Sequence, residues 1–242
     1  MSMISKVKVT ARLRRFAEDQ SGTTLVEFAV CVSLFLLILF AVLDFGRLGY
    51  QWVAAEKGMQ VAVRLAAVRP PVCNNVPLYH RADPDNLTGA GAGTLCRTGS
   101  GSICEKVPAR SCLLSDDNLS VAGSATASEI WNRIENLVPE GTTQSNILIT
   151  YVYDNRLGFL GGPYVPVISA ELVGGVDADG GSQPLPFEFV TPLSALAATA
   201  GAANASDATY FPESFGDCTA CIPFPAISAT LPAEDMNQGI QG

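Results

Sequence analysis

Histidine is nearly missing from this 242-residue chain, where His80 is the only one. With no serine and aspartate context around it, His80 argues against a catalytic triad and leaves histidine-based metal sites short of ligands. It reads as a surface-loop residue. Basic charge is scarce beyond the first segment. Five of the 15 bases and three of the 23 acids precede Asp44, which leaves residues 44–242 with 10 bases against 20 acids. Phosphates would find no basic footprint there, so nucleic acid is excluded as a ligand. From Phe28 to Leu43 charge of either sign is absent.

That uncharged run is the strongest positive signal. Thr23 to Leu43 carries one charge, Glu27, and its 21 residues rise roughly 31 Å as a helix, the thickness of a bilayer core. Lys6, Lys8, Arg12, Arg14 and Arg15 lie before it, so residues 1–22 are expected on the cytoplasmic side and the rest outside. A secretory signal has a shorter apolar core and a small-x-small cleavage site. Here the run ends Ala41-Val42-Leu43-Asp44-Phe45, without such a site. Glu27 is costly at that depth, roughly 2.5–3.5 kcal/mol on insertion scales, which suggests a role. The bland reading is a charge close enough to the interface to snorkel.

The helix is predicted to continue. Tyr50, Val53, Ala54, Gly58, Val61, Ala62, Leu65 and Val68 recur at three- and four-residue spacing, and Pro70-Pro71 stops it. A helix from Thr23 to about Arg69 would be roughly 70 Å long. Residues 70–125 read as irregular. A capping box at Thr126-Ala127-Ser128-Glu129 predicts a short helix ending at Pro139. Ile147–Tyr153 is the best strand. Tyr164–Val173 is a second, expected at a sheet edge because of Pro166. Pro186–Val190 is a third, with Val176–Gly181 as the hairpin turn between those two. Residues 192–208 are Ala-rich, and Thr230–Gly242 reads as a disordered tail. The fold class is therefore α+β: a long transmembrane and amphipathic helix, then a small mixed domain with an antiparallel sheet. Its parts are 1–22 leader, 23–43 membrane helix, 44–69 extension, 70–229 exported domain and 230–242 tail.

Seven cysteines divide into one and six. Cys31 lies in the membrane run and reads as an inert apolar residue. Cys73, Cys96, Cys104, Cys112, Cys218 and Cys221 are an even set on the exported side, which predicts disulfides in an oxidising compartment. Six cysteines allow 15 pairings, and spacing selects none. Cys218-Thr219-Ala220-Cys221 is a CxxC, but there is no second one to complete a zinc site. A thiol oxidoreductase built on that pair is the enzymatic alternative. Asp177 and Asp179 with Glu188 match the ends of a calcium loop, yet Ser182 stands at the required glycine and Pro184 and Pro186 spoil the path. Gly89–Gly93 and Gly99–Gly101 lack the lysine of a phosphate loop. Trp131, Tyr151 and Tyr153 read as core. No enzyme activity, metal or cofactor is expected.

Gly22-Thr23-Thr24-Leu25-Val26-Glu27-Phe28 resembles a class III prepilin cleavage site, cut between Gly22 and Thr23. With Asp44-Phe45-Gly46-Arg47 and Ala55–Ala66, the chain resembles the TadE-like pseudopilins of tight-adherence (Tad/Flp) pilus systems over about residues 12–69. Phe28 stands where the major pilin commonly has tyrosine, and phenylalanine is usual among the TadE-like proteins. The resemblance implies a minor pilin in the bacterial inner membrane. It would be cut by a prepilin peptidase and would act with other pilins, pseudopilins and assembly-platform proteins in the lipid bilayer. It also implies that the new α-amino group of Thr23 pairs with Glu27 of a neighbouring subunit, with Phe28 beside it in the assembly segment. The alternative within the same machine is an uncleaved, single-pass scaffold. No Asp-x-Ser-x-Ser motif supports the metal-binding adhesion domain of the related TadG-like proteins.

Overall fold

The computed structural model describes residues 22–86, 89–98, 101–117, 119–176, 182–195, 221–234 and 236. It begins with one unbroken helix, α1 (Thr23–Val68), of 46 residues. Proline carries no amide hydrogen, so Pro70-Pro71 ends it as expected. The first part of α1 is apolar and exposed: Leu25, Phe28, Phe35 and Ile38 all stand well clear of the other described residues. The second part is amphipathic. Ala55, Met59, Ala62, Val63 and Ala66 form one buried stripe at helical spacing.

Beyond α1 come β1 (Arg97–Thr98) and β2 (Gly101–Ser102), which pair with each other, then β3 (Arg110–Leu113) and α2 (Val121–Ile134). Next are β4 (Ile147–Val152), β5 (Val167–Leu172), β6 (Gly175–Val176) and β7 (Ser182–Gln183). The last are β8 (Pro186–Glu188), β9 (Cys221–Pro223) and β10 (Ile227–Pro232). The main sheet is antiparallel with order β10-β5-β4-β3. In β5 burial alternates, with Ile168, Ala170 and Leu172 inward. They stand opposite Tyr151, Ile149 and Ile147 of β4. This face and α2 both pack on the buried stripe of α1, so the helix is the spine of the main hydrophobic core.

The turn after α1 is held by polar groups. The Ser120 hydroxyl donates to Pro71 O at 2.7 Å and accepts from Gly123 N at 2.8 Å. Thr126 Oγ1 donates to Pro70 O, and Val72 N donates to the Tyr151 hydroxyl, both at 3.0 Å. The carbonyls of the two prolines are thereby satisfied. Burial pushes the Tyr151 phenol up to about 12, so it stays a neutral partner here.

Several expectations are corrected. Helix α2 starts at Val121 with Ser120 as its cap, not at a capping box, and Thr126 is buried inside it. Thr126 is recruited by the Pro70 carbonyl, which a local pattern cannot reveal. Strand β5 is central rather than an edge, because Pro166 lies before the strand and its carbonyl accepts from Ala233 N at 2.8 Å. The supposed tail contributes the end of β10, and Ala233 and Met236 are buried. Strand β8 pairs with β9, and β6 with β7, so the expected hairpin between the second and third strands is replaced by two small ladders. Residues 1–21, 177–181, 196–208 and 237–242 lie outside the described residues.

Candidate functional site

Gly22 sits immediately before α1 with φ −88° and ψ −9°, an ordinary right-handed conformation. A Cβ built on it would meet nothing within 4 Å. Nothing among the described residues therefore requires glycine there. Thr23 opens the helix, and Leu25, Val26, Glu27 and Phe28 follow on its exposed surface. Glu27 has no hydrogen-bond or ion-pair partner among the described residues. Along the next turns, Ser33 donates its hydroxyl back to Ala29 O at 2.6 Å, which hides that polar group within the apolar rod.

At the end of the uncharged run the character changes. Asp44 is 2% exposed. Its carboxylate accepts from Thr191 Oγ1 at 2.5 Å, Val190 N at 3.3 Å and Thr191 N at 3.4 Å. Such a set satisfies a charge that would otherwise be costly to bury. One turn later Arg47 stacks its guanidinium over the Phe187 ring at 4.6 Å and donates to the Glu188 carbonyl. Phe45 meets Phe189 edge-on at 6.2 Å. Asp44, Phe45 and Arg47 thus clamp residues 187–191 onto the helix where its apolar half ends. Sequence reading found these residues only as part of a resemblance. The signal available was an acid and a base three apart at the mouth of an apolar run.

The model of the TadE-like protein family matches residues 22–64, from the glycine before α1 through most of its buried stripe. Residues 22–64 are a TadE-like segment. No curated protein and no solved structure matches the chain. The TadE-like match suggests a minor-pilin-like role associated with a Tad pilus, among other components of that system. The N-terminal apolar helix fits a membrane-anchored protein: its most apolar window is long enough to cross a bilayer and none of it is buried. Asp44, Phe45 and Arg47 and most of the stripe fall within the TadE-like segment, so the segment carries much of the docking surface for the domain that follows it.

Six of the seven cysteines lie beyond the TadE-like segment, and Cys31 lies within it. Cys73 is bonded to Cys112 and Cys96 to Cys104. Cys31 is free and exposed. Cys218 lies outside the described residues, and of Cys221 only the backbone, in β9, is described. His80 is not on the surface, a further correction: it is 3% exposed. Its Nε2 accepts from Val165 N at 3.3 Å, and its ring lies 5.1 Å from Tyr164. Gly158 has φ +81°, and a Cβ there would fall 2.1 Å from His80 Nε2, so glycine makes room for the ring. A ring nitrogen of His80 and the Cys96 and Cys104 sulfurs form a compact group, with ligand atoms within 4.8 Å. The sulfurs are bonded to each other, so in this state the group is a staple and not a metal site.

Burial lowers the His80 pKa below 6.5. The unfolded chain binds a proton near 6.5 that the folded chain resists, so stability is full above 6.5 and falls as pH drops below it. Urea unfolding of the purified protein should show a midpoint that declines from neutral pH towards about 5, and His80→Gln should flatten that slope. An unchanged slope in His80→Gln would assign the acid sensitivity to other groups.

Proposed function

We propose that the chain is a minor pilin of a Tad-type pilus, made as a precursor with a cytoplasmic leader at residues 1–22. A prepilin peptidase would cut between Gly22 and Thr23, leaving 23–43 as a membrane helix, 44–69 as its extension and 70–229, lengthened by β10, as an exported domain at the inner membrane. The protein would then take part in initiating or assembling the filament with other pilins and the platform proteins. The observation that carries this reading is the glycine at position 22: the described residues give it no packing and its conformation is ordinary, so its reason is sought in an enzyme that must reach the backbone. Glu27 supports it, because a carboxylate without a partner among the described residues, at the depth of the apolar run, is suited to the α-amino group of a neighbour's Thr23. Phe28 would pack in the same subunit contact.

Intact-mass measurement of the membrane-extracted protein tests the reading. The expected N-terminus is Thr23, and Gly22→Leu should accumulate as uncut precursor. Glu27→Ala should still insert, since removing a charge eases transfer, yet fail to join pilin partners. A mature chain starting at Met1 would give the protein to the uncleaved-scaffold class, and one starting after Leu43 would remove the membrane helix altogether. Normal piliation with well-expressed Glu27→Ala would end the ion-pair argument.

A further inference from the structure

The clamp fixes the height of one part of the domain relative to the bilayer. Val190 N lies 3.3 Å from the carboxylate of Asp44, the first charged residue after the uncharged run. If Phe28–Leu43 lies in hydrocarbon, Val190 stands at the boundary. Its side chain is 73% exposed, and Phe45 beside it is 57% exposed. Val42 and Leu43, the last residues of the uncharged run, are exposed as well. About two turns further up α1, Tyr50 and Trp52 are exposed, the residue types that favour the water-facing edge of a membrane.

We propose that the 187–191 strap is a membrane-contact element that rests on the outer face of the bilayer, with Val190 and Phe45 in the acyl–headgroup boundary. This rests on the membrane-anchor part of the function proposed above, but not on cleavage. The partner is a zwitterionic lipid surface. Arg47, the cation at this level, is already committed to Phe187 and the Glu188 carbonyl, and the exported residues carry a large excess of acid. Anionic headgroups would gain nothing, so the contact is apolar and insensitive to salt. The strap anchors the domain close to the membrane instead of leaving it free at the end of a stalk.

Tryptophan depth measurement on the full chain in phosphatidylcholine nanodiscs tests this. In a background of Trp52→Phe and Trp131→Phe, three variants are compared. Ile38→Trp reports the bare helix, Val190→Trp the strap, and Val121→Trp the far end of the domain. Lipids brominated near the carbonyl end of the chain should strongly quench Val190→Trp and shift its emission to the blue, while Val121→Trp stays red and unquenched. A quenched Ile38→Trp with an unquenched, red Val190→Trp would overturn the strap contact and leave the anchor intact. An unquenched Ile38→Trp would overturn both. Blue-shifted but unquenched emission from Val190→Trp, appearing only when subunits associate, would assign the strap to a second copy and overturn the lipid contact.

Discussion

Replacing Cys73 and Cys112 together by serine is expected to lower the unfolding free energy by about 4 kcal/mol, against about 2.5 kcal/mol for the pair Cys96 and Cys104. The difference follows from the loops they close, with sequence separations of 39 and 8. A longer loop has more conformations to lose, so its bond constrains the unfolded chain more. Position adds to this. Cys73 and Cys112 are both buried in the main core, and they tie the chain leaving α1 to the edge strand β3. Without that bond β3 keeps only its four-residue ladder to β4. Urea midpoints of the two double variants and of the parent give the comparison. Equal losses would show that chain entropy is not the cause.

Gly123→Ala is the other change with a large expected effect. In an ordinary helix interior alanine is better than glycine by about 1 kcal/mol. Here a Cβ would fall 2.4 Å from Val72 O, 2.5 Å from Pro71 O and 2.5 Å from Ser120 Oγ. Two of those atoms are backbone and the third is the cap of α2, so none can move cheaply. The helix start would be pushed off the turn, at a cost of roughly 3 kcal/mol or more. Gly46→Ala is the control. A Cβ there meets nothing within 4 Å, so that change should be neutral or stabilising. Thermal unfolding of both variants decides the matter. A Gly123→Ala protein as stable as its parent would mean that α2 does not dock under the Pro70–Cys73 turn.

The helical half of this molecule was legible because its signals are local and repeated. An uncharged run, a three- and four-residue stripe and a double proline give α1 nearly to the residue. Strand β4 was equally plain, since Ile147-Leu148-Ile149-Thr150-Tyr151-Val152 is dense in β-branched and aromatic residues. Strand β10 was missed because Ile-Ser-Ala-Thr-Leu-Pro is weak by composition and becomes a strand through its six-residue pairing with β5. Strand β3 was missed for a similar reason: it is short, and its partner lies about 40 residues away. His80 was misplaced because its burial depends on a positive-φ glycine 78 residues later. The pairing of Cys73 with Cys112 was one of 15 alternatives until the turn after α1 met the sheet. At the candidate site, the roles given to Gly22, Glu27 and Phe28 came through a resemblance carried by adjacent residues, whereas the partners of Asp44 and Arg47 come from a segment more than 140 residues away.

The unbroken passage of α1 from bare apolar rod to buried spine has a mechanical consequence. Gly46 and Gly49 fall where the two halves meet, the weakest stretch of the helix by propensity. The contacts of Asp44 and Arg47 bridge that stretch from outside, as a splint does. A tug on the rod is therefore not absorbed by bending at its weak point. It is passed into the domain as shear along the whole stripe from Ala55 to Ala67, where many small contacts must slip together before any one is lost.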